Sequence, residues 1–335
     1  MPTARTIAIV GATGAVGREF GTFLRQRRFP ITAVRMLASA RSAGQTVAGP
    51  LGPAVVEELT DDALRGIDLA LFSAGAAVSR EYAPRAVQAG AVVIDNSSAF
   101  RLDHDVPLVV PEINTQDARR HRGIIANPNC SAIILLMALW PLHQRWRIRR
   151  VVVSTYQAAS GAGARALAEL ESQTRAVLAG QPARPEVFPV PCAFNVFSHN
   201  SAVGPDGYNG EESKLIAETR RILGDETIQV APTCMRVPVL RAHTESLSVE
   251  FAKPVDVDAA RAALAAAPGV RVVDDPVRNR FPTPLEAAGG DDVLVGRLRR
   301  DPSVPDGRGV QLICAGDQLR KGAALNAVQI AELLR

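Results

Sequence analysis

The chain has 335 residues, 47% of them hydrophobic, so it can bury a substantial core, and its length predicts two domains. Its 38 basic and 34 acidic residues leave a formal charge of +4, without a basic arm and with 4% aromatic residues, which argues against nucleic acid as a partner. We find neither the segments of a signal peptide nor an apolar run long enough to cross a bilayer, and therefore expect a cytoplasmic protein.

Short β-branched runs alternate with amphipathic stretches in the first third of the chain, as is typical of parallel βαβ units. The predicted strands are Thr6–Val10, Val34–Ala38, Asp68–Ser73, Val92–Asn96 and Ile124–Ala126. The predicted helices are Ala15–Gln26 and Ser79–Ala89. This pattern predicts an α/β, Rossmann-like dinucleotide-binding domain.

From residue 151 the pattern predicts an α+β domain in which strands outnumber helices. Its predicted strands are Val151–Tyr156, Gln229–Val237, Leu247–Phe251 and Val293–Arg299, and its predicted helices are Ala164–Leu178, Glu211–Leu223 and Val257–Ala266. A last helix, Ala323–Leu334, is expected to return to the first domain. We therefore predict an NADP-binding domain at 1–127, completed by 316–335, and a catalytic and dimerisation domain at 128–315.

A glycine motif follows the first predicted strand and opens the first helix. Its residues are Gly11, Thr13, Gly14, Ala15, Val16 and Gly17. Backbone amides at a helix N-terminus can bind a pyrophosphate, and the motif has this context; an ordinary tight turn is the alternative. The sequence therefore favours a dinucleotide site here.

Cofactor choice is indicated by the end of the second predicted strand. An NAD site usually has an acidic residue there for the ribose hydroxyl, whereas this chain has Arg41 and Ser42. A guanidinium pairs well with a phosphate, so these residues favour NADP over NAD. A solvated loop arginine is the alternative.

Cys130 is the candidate nucleophile among four scattered cysteines. No CxxC pair or histidine cluster accompanies them, so we expect neither a disulfide framework nor a metal site. Cys130 precedes the apolar run Ala132–Trp140 and should lie near a helix N-terminus, where the macrodipole stabilises a thiolate. A thiol nucleophile beside an NADP site suggests hydride transfer through a thiohemiacetal and a thioester, whereas a structural cysteine would need no chemistry. Cys234 and Cys314 lie in strand-like runs and are expected to be packing residues, and Cys192 lacks the helix setting.

Further motifs resemble those of the aspartate-semialdehyde dehydrogenase family over essentially the full length. They are Ser97–Arg101, Asn127–Ser131, Gln157–Gly163, Glu211–Lys214 and Arg236–Pro238 with His243. Together they are far more specific than any one motif alone. The resemblance implies NADPH-dependent reductive dephosphorylation of L-4-aspartyl phosphate to L-aspartate 4-semialdehyde, in lysine, threonine and methionine biosynthesis, by a homodimer or homotetramer.

The resemblance also implies a role for each matched residue. Cys130 would be the thioester nucleophile and His243 the general acid/base. Substrate binding would use Gln157 near the thioester, Arg236 on the α-carboxylate, Glu211 on the amine, and Arg101 with Lys214 on the phosphate. Further cofactor contacts would come from Ser160, Gly161 and Gln318.

The chain departs from the family pattern at several positions. It has Ser198 where proline is common, Asn209 near the Glu-Glu pair where threonine is common, Ala132 after Cys-Ser, and Gln318 where asparagine is usual. None of these changes removes a charge or a nucleophile, so we expect altered packing and retained chemistry. The other histidines, which we expect to be solvated, are His104, His121, His143 and His199.

Two alternatives stay open. An N-acetyl-γ-glutamyl-phosphate reductase would share the two-domain plan and the thioester, but its substrate amine is acetylated, and the acidic Glu211 favours a free ammonium. A catalytically silent NADP-binding paralogue would have lost residues such as Cys130 or His243, which are present here.

Overall fold

The computed structural model describes residues 4–334, which fall into two compact units. Unit 1 comprises the residues up to Asn129 with those from Gly322 onward, and unit 2 comprises Cys130–Lys321. The divisions lie a few residues beyond the predicted domain joins. Within the described residues, no helix has the length and apolar character needed to cross a membrane.

Unit 1 contains a seven-stranded sheet in the order β3-β4-β2-β1-β5-β6-β7. The strands are β1 (Arg5–Val10), β2 (Ile31–Ala38), β3 (Thr46–Gly49), β4 (Gly52–Glu58), β5 (Leu69–Phe72), β6 (Val92–Asp95) and β7 (Ile124–Ala126). All neighbours pair in parallel except β3 and β4, which form an antiparallel hairpin. The predicted Rossmann-like architecture is confirmed.

Helices cover both faces of this sheet. They are α1 (Ala15–Gln26), α2 (Ala76–Gln88), α3 (Pro111–Asn114) and α9 (Leu325–Glu332), the last preceded by a π-helical turn at Arg320–Ala324. Phe20, Phe23 and Leu24 of α1 have helical spacing and share one core with α9, whereas α2 packs against the opposite face. The predicted return of the last helix to the first domain is confirmed.

Gly11 and Gly17 allow β1 and α1 to approach closely. Gly11 has φ +88°, and a Cβ added there would lie 2.3 Å from the carbonyl oxygen of Ser73. A Cβ on Gly17 would lie 2.2 Å from the carbonyl oxygen of Gly11. Any larger residue would therefore push the helix N-terminus away from the strand end.

Unit 2 contains a second seven-stranded sheet, in the order β12-β13-β14-β11-β8-β10-β9. Its strands are β8 (Ile148–Gln157), β9 (Phe197–Ser198), β10 (Gln229–Arg236), β11 (His243–Phe251), β12 (Val270–Val272), β13 (Val293–Arg300) and β14 (Gly309–Gly316). Along β11 every second residue is buried and those between are half-buried, so one face of the sheet lies in the core.

The helices of unit 2 are α4 (Cys130–Trp146), α5 (Ala164–Leu178), α6 (Gly210–Leu223), α7 (Val257–Ala265) and α8 (Pro284–Ala287). Helix α4 is apolar on nearly all sides and contacts α6, α7 and the central strands. A helix that is apolar all round has to be enclosed, which fixes the position of its first residue, Cys130.

Several boundaries differ from the sequence-based expectation. Strand β11 begins at His243 instead of Leu247, and α4 extends at both ends beyond the apolar run. The β3–β4 hairpin and β14 were not predicted. The hairpin contains Pro53 and is turned by glycines, which resembles a loop, and the centre of β14 is apolar without alternation.

Candidate active site

Three of the predicted site residues meet at one edge of the unit 2 sheet. Gln157 ends β8 and Arg236 ends the parallel strand β10, and these two residues are register partners. Strand β11 runs antiparallel to β8, so its first residue, His243, begins at the same edge. All three side chains are buried, with exposures of 1%, 2% and 0%. The strand pattern therefore brings an amide, a guanidinium and an imidazole together.

Cys130 faces this edge from the first position of α4. Its Sγ lies 3.5 Å from Nε2 of His243, and the cysteine is half-buried. The other three cysteines are fully buried, two of them in β10 and β14 as predicted. Cys130 is therefore the one described cysteine that combines a helix N-terminus, partial exposure and an imidazole contact.

The tautomer of His243 follows from its second ring nitrogen. The backbone N–H of Ala158 donates to Nδ1 at 3.0 Å, so the proton of the neutral ring lies on Nε2 and faces the Cys130 sulfur. Burial, followed by the positive charge of Arg236, lowers the pKa of His243 to about 3. At neutral pH the ring is thus a neutral hydrogen-bond donor toward the sulfur.

Arg236 is held by several acceptors. Its Nη1 donates to the carbonyl oxygen of Ala158 at 2.7 Å, and its Nη2 lies 2.8 Å from Nε2 of His199 and 3.3 Å from Oδ1 of Asn200. The guanidinium also lies over the Phe188 ring. A buried cation without an acidic partner among these contacts is suited to an incoming carboxylate.

Glu211 and Lys214 form an ion pair on α6 at 3.1 Å, and the pair is not an ordinary surface bridge. Glu211 is only 4% exposed, and its second oxygen accepts a bond from Nε2 of Gln157 at 3.1 Å. The departure at Asn209 has a structural role, because its side chain caps α6 in a capping box with Glu212. The cap fixes the first turn, which carries Glu211.

Ser160, Gly161 and Gln318 lie against the same group of residues. Nε2 of Gln318 donates to Ser160 Oγ, and its Oε1 accepts the backbone N–H of Ala242 at 2.8 Å. A Cβ on Gly161 would lie 3.0 Å from Cε1 of His243. Gly161 therefore leaves room for the imidazole.

Unit 1 contains a cavity of about 540 Å³ at the carboxyl end of β1. Its lining includes Gly11, Thr13, Gly14, Arg41 and Ser42. Helix α1 begins at Ala15, and its N-cap residue, Gly14, has no side chain that could accept a hydrogen bond from the first turn. The backbone N–H groups of that turn, which includes Val16 and Gly17, therefore have no side-chain acceptor at the N-cap. This combination suits the pyrophosphate of a dinucleotide.

The same cavity contains an acid that the sequence analysis missed. Glu58 ends β4, which pairs in parallel with β2 so that Glu58 is the register partner of Ala38. Glu58 lines the cavity together with Arg41. The acid absent from the end of β2 is therefore present at the same edge, on a strand that was not predicted.

Arg101 lies in unit 1 and is 7% exposed. It donates to the carbonyl oxygens of Asn127 and Asn96, each at 2.9 Å. These bonds hold its guanidinium to the loops that follow β6 and β7.

Two histidines contradict the expectation of solvation. His199 is half-buried beside Arg236, and His143 lies inside α4 with 2% exposure, where its Nδ1 accepts the backbone N–H of Ile148. His121 is half-buried, and only His104 is fully exposed as expected. A periodicity argument could have placed His143 in α4, but no local signal marks His199.

Glu245 is a buried carboxyl group two residues after His243. It is 0% exposed, its Oε1 has no hydrogen-bond partner among the described residues, and its Oε2 receives a weak bond from the Cys314 thiol. Burial, reinforced by the negative charge of Glu211, raises the pKa of Glu245 well above its usual value. The native state therefore keeps this proton at pH values where the unfolded chain has released it.

This protonation predicts a pH-dependent stability effect. The stability linked to protonated Glu245 is present below the unfolded pKa of 4.5 and is lost as pH rises. Relative to wild type, Glu245→Gln should therefore gain unfolding free energy as the pH is raised above 4.5, by up to about 1.4 kcal/mol per pH unit. Urea unfolding at each pH measures the unfolding free energy of both proteins. Glu250 is half-buried on the same strand, and Glu250→Gln is the control. A Glu245→Gln difference that stays constant with pH would contradict the assignment.

No group of three or more His, Cys, Asp or Glu among residues 4–334 is placed to hold a metal ion.

Comparison with known proteins identifies the family. Residues 6–121 match the family model described as semialdehyde dehydrogenase, NAD binding domain, and residues 139–321 match the one described as semialdehyde dehydrogenase, dimerisation domain. An aspartate-semialdehyde dehydrogenase of Synechocystis is 51% identical over 334 residues, covering 100% of this chain and 98% of the relative. That of Aquifex aeolicus is 48% identical, covering 98% and 97%.

Solved structures support the same family assignment. Aspartate semialdehyde dehydrogenase II of Vibrio cholerae, solved as a complex with ASA, is 42% identical with a TM-score of 0.96, covering 99% of this chain and 98% of that chain. The predicted two-domain α/β fold and the predicted family are confirmed. The chain belongs to the aspartate-semialdehyde dehydrogenase family, whose first domain binds a nicotinamide dinucleotide.

Proposed function

We propose that this protein is an aspartate-semialdehyde dehydrogenase that reduces L-4-aspartyl phosphate to L-aspartate 4-semialdehyde through a thioester on Cys130. The observation that carries the proposal is the 3.5 Å contact between the Cys130 sulfur and a neutral His243, beside the buried Arg236 and Glu211. The family membership of the whole chain supports it.

Cys130 performs the covalent step. Its thiolate attacks the acyl carbon, a C–S bond forms, and the phosphate leaves with the electrons of the C–O bond. Arg101 and Lys214 are the residues that the resemblance assigns to the phosphate. When bound, the reduced nicotinamide supplies a hydride to the thioester carbon. The C–S bond then breaks as the aldehyde forms, and the sulfur regains its electron pair.

His243 assists both stages through its Nε2 proton. The neutral ring donates to negative charge, first on the carbonyl oxygen as hydride arrives and then on the departing sulfur. Its Nδ1 stays bonded to the amide of Ala158, which keeps the donor aimed at the reacting atoms. This geometry favours stabilisation of the negative charge by a hydrogen bond from the neutral ring over the general acid/base transfer that the resemblance assigns.

Substrate recognition needs two charges of opposite sign. The guanidinium of Arg236 pairs with the α-carboxylate, and the carboxylate of Glu211 pairs with the free ammonium. Gln157 is bonded to Glu211 and lies at the sheet edge, where it orients the acyl group. An acetylated amine carries no positive charge to pair with the buried carboxylate of Glu211, which disfavours N-acetyl-γ-glutamyl phosphate as substrate.

The proposed cofactor is NADP. Arg41 and Ser42 supply a cation and a hydroxyl for the 2′-phosphate, whereas Glu58 in the same cavity would repel that phosphate or accept a bond from the ribose hydroxyl of NAD. The preference therefore depends on the balance between Arg41 and Glu58.

We expect substitutions at these two residues to shift the preference in opposite directions. Arg41→Ala should raise the KM for NADP roughly 10-fold or more with little effect on NAD, because a charge-assisted bond to phosphate is lost. Glu58→Gln should increase the NADP to NAD ratio of kcat/KM. The exposed Arg120→Ala is the matched control. Parallel shifts in both variants, or an unchanged ratio, would contradict the assignment.

The function itself is tested by a reverse-direction assay. L-aspartate 4-semialdehyde should sustain multiple turnovers of NADP reduction only when inorganic phosphate is present, and the N-acetyl-glutamate semialdehyde should be a much poorer substrate. Turnover that is independent of phosphate would reject the proposed reaction. Absence of turnover, together with slow and uniform labelling of all four cysteines, would favour a catalytically silent paralogue.

We further propose that the protein assembles as a homodimer or homotetramer. The model matched by residues 139–321 is described as a dimerisation domain, and the half-exposed face of the unit 2 sheet carries Val152, Tyr156 and Ile313. The two compact units are proposed as the functional cofactor-binding and catalytic domains. The cytoplasmic location expected from the sequence stays a prediction.

A further inference from the structure

The imidazole of His199 is a hydrogen-bond acceptor for Arg236 that carries no negative charge. Nη2 of Arg236 and Nε2 of His199 are 2.8 Å apart, while Nη1 is bonded to the carbonyl oxygen of Ala158. The side chain of Arg236 is 2% exposed, and its Nε has no partner among the described residues. The guanidinium is thus held at its two terminal nitrogens and retains donors for a ligand.

The 2.8 Å contact decides the tautomer of His199. A guanidinium has donors and no acceptor, so Nε2 has to present its lone pair to Nη2. The ring proton then lies on Nδ1, which is 3.1 Å from Oγ of Ser201 and can donate to it. The backbone N–H of Ser201 is also 3.2 Å from Nδ1 and would favour the opposite tautomer. The charge-assisted bond to Arg236 is the stronger of the two and therefore prevails.

The ring of His199 is neutral at physiological pH. The charged groups that face it are Arg236, Glu211 and Lys214. Burial is the largest effect and lowers the pKa of His199 to about 4, since the positive neighbours add to burial while Glu211 opposes it. Protonation would place a second cation, without an acceptor lone pair, directly against Arg236, so the neutral ring is the form that fits.

Ser201 extends this contact to the other substrate-binding residue. Its Oγ accepts the backbone N–H of Glu211 at 3.0 Å and lies 3.3 Å from Oδ1 of the N-cap residue Asn209. Asn209 in turn accepts the same Glu211 N–H at 3.0 Å. Arg236 and Glu211 are therefore connected through one imidazole and one hydroxyl.

We propose that His199 is a positioning residue that orients the guanidinium of Arg236 for the substrate carboxylate while leaving its positive charge unneutralised. An Asp or Glu in its place would form an ion pair with Arg236 and compete with the substrate. An apolar residue would leave Nη2 with fewer acceptors and the guanidinium free to turn. This inference rests on the proposed function, because it assigns Arg236 to the carboxylate of that substrate.

Three substitutions at one position test the proposal. His199→Leu removes the acceptor and His199→Glu adds a charge, whereas His199→Gln keeps a neutral acceptor. We expect KM for L-aspartate 4-semialdehyde to rise roughly 10-fold to 100-fold in the Leu and Glu variants, as for the loss of a hydrogen bond to a charged group, and to stay within about threefold in the Gln variant. KM for NADP should not change in any of them. His104→Leu, at a fully exposed histidine, is the matched control.

A second measurement separates positioning from a general structural effect. 3-Aminopropanal lacks the α-carboxylate, so kcat/KM for this aldehyde should be the same in wild type and in all three variants. In an Arg236→Ala background, His199→Leu should cause no further loss with the natural substrate. Should the Leu variant fail to fold, the Glu and Gln variants, which are nearly equal in size, still decide the matter through their KM values.

The outcomes distinguish the two proposals. A wild-type enzyme without phosphate-dependent turnover of L-aspartate 4-semialdehyde would reject the proposed function. An active wild type with equal KM values in the Glu and Gln variants would overturn the role of His199 alone. Equal losses with 3-aminopropanal and with the natural substrate would also overturn it.

Discussion

Replacement of Cys130 by alanine is expected to abolish phosphate-dependent turnover. The thiolate forms the only covalent link between enzyme and acyl group in the proposed reaction, and its sulfur contacts the imidazole of His243. We expect kcat to fall by at least roughly 10⁴-fold, about 5.5 kcal/mol in the activation free energy. Steady-state rates of NADP reduction measure the loss.

Controls have to separate chemistry from folding. Cys130→Ala should bind NADP with the affinity of wild type and unfold at a similar temperature, because the side chain is small and half-buried. Cys314→Ala removes a buried thiol in β14 that is bonded to Glu245 and has no contact with Cys130 or His243 among the described hydrogen bonds, so it should retain activity with a modest loss of stability. A Cys130→Ala enzyme with the wild-type rate would refute the covalent route.

Substitution of His243 is expected to have the second-largest effect. His243→Ala removes the Nε2 donor that faces the sulfur and should lower kcat by roughly 10²-fold to 10⁴-fold. His243→Gln can present an amide N–H toward the same sulfur and should recover part of the loss. Equal rates for the Ala and Gln variants would contradict the assignment of His243 as a neutral donor.

The pH profile supplies an independent check on His243. Since burial and Arg236 lower the pKa of the ring to about 3, the neutral donor form persists throughout the range from pH 5 to pH 8. The imidazole should therefore contribute no titration to kcat/KM within that range. An acidic limb near pH 6.5 that disappears in His243→Gln would show that the ring is protonated during the cycle.

The proposed catalytic residues could be selected from the sequence because short-range signals mark them. Cys130 stands at the start of a long apolar run, which predicts an enclosed helix and therefore a helix N-terminus at the cysteine. Arg236 and His243 are only seven positions apart and lie at the end of one strand and the start of the next. The family motifs supplied the roles that periodicity alone could not.

Glu58, the acidic residue of the unit 1 cavity, could not be predicted, because its position depends on a strand pairing between distant segments. Glu58 reaches the cavity only because β4 pairs with β2, and β4 begins with Gly52 and Pro53, which resemble a turn. Without that strand, the region between residues 43 and 60 is read as a loop. The sequence therefore indicated Arg41, which favours NADP, but did not indicate Glu58, which opposes the 2′-phosphate.

His199 was missed for a related reason. It lies just after the two-residue strand β9, in a polar segment that gives no periodic signal. Its burial arises from packing beside Arg236, which is 37 positions away in the chain. A polar neighbourhood in sequence is therefore a poor guide to exposure where a loop returns to a sheet edge.

The proposed mechanism requires an acyl group carried by Cys130. When the enzyme is mixed with L-aspartate 4-semialdehyde and NADP in the absence of phosphate, hydride transfer should stop at the thioester. We predict a burst of one NADPH per active chain, with an aspartyl adduct on Cys130 located by mass spectrometry of the intact and digested protein. Addition of phosphate should release the adduct and restart turnover. A burst without an adduct, or an adduct of equal amount on the Cys130→Ala variant at another residue, would contradict the thioester on Cys130.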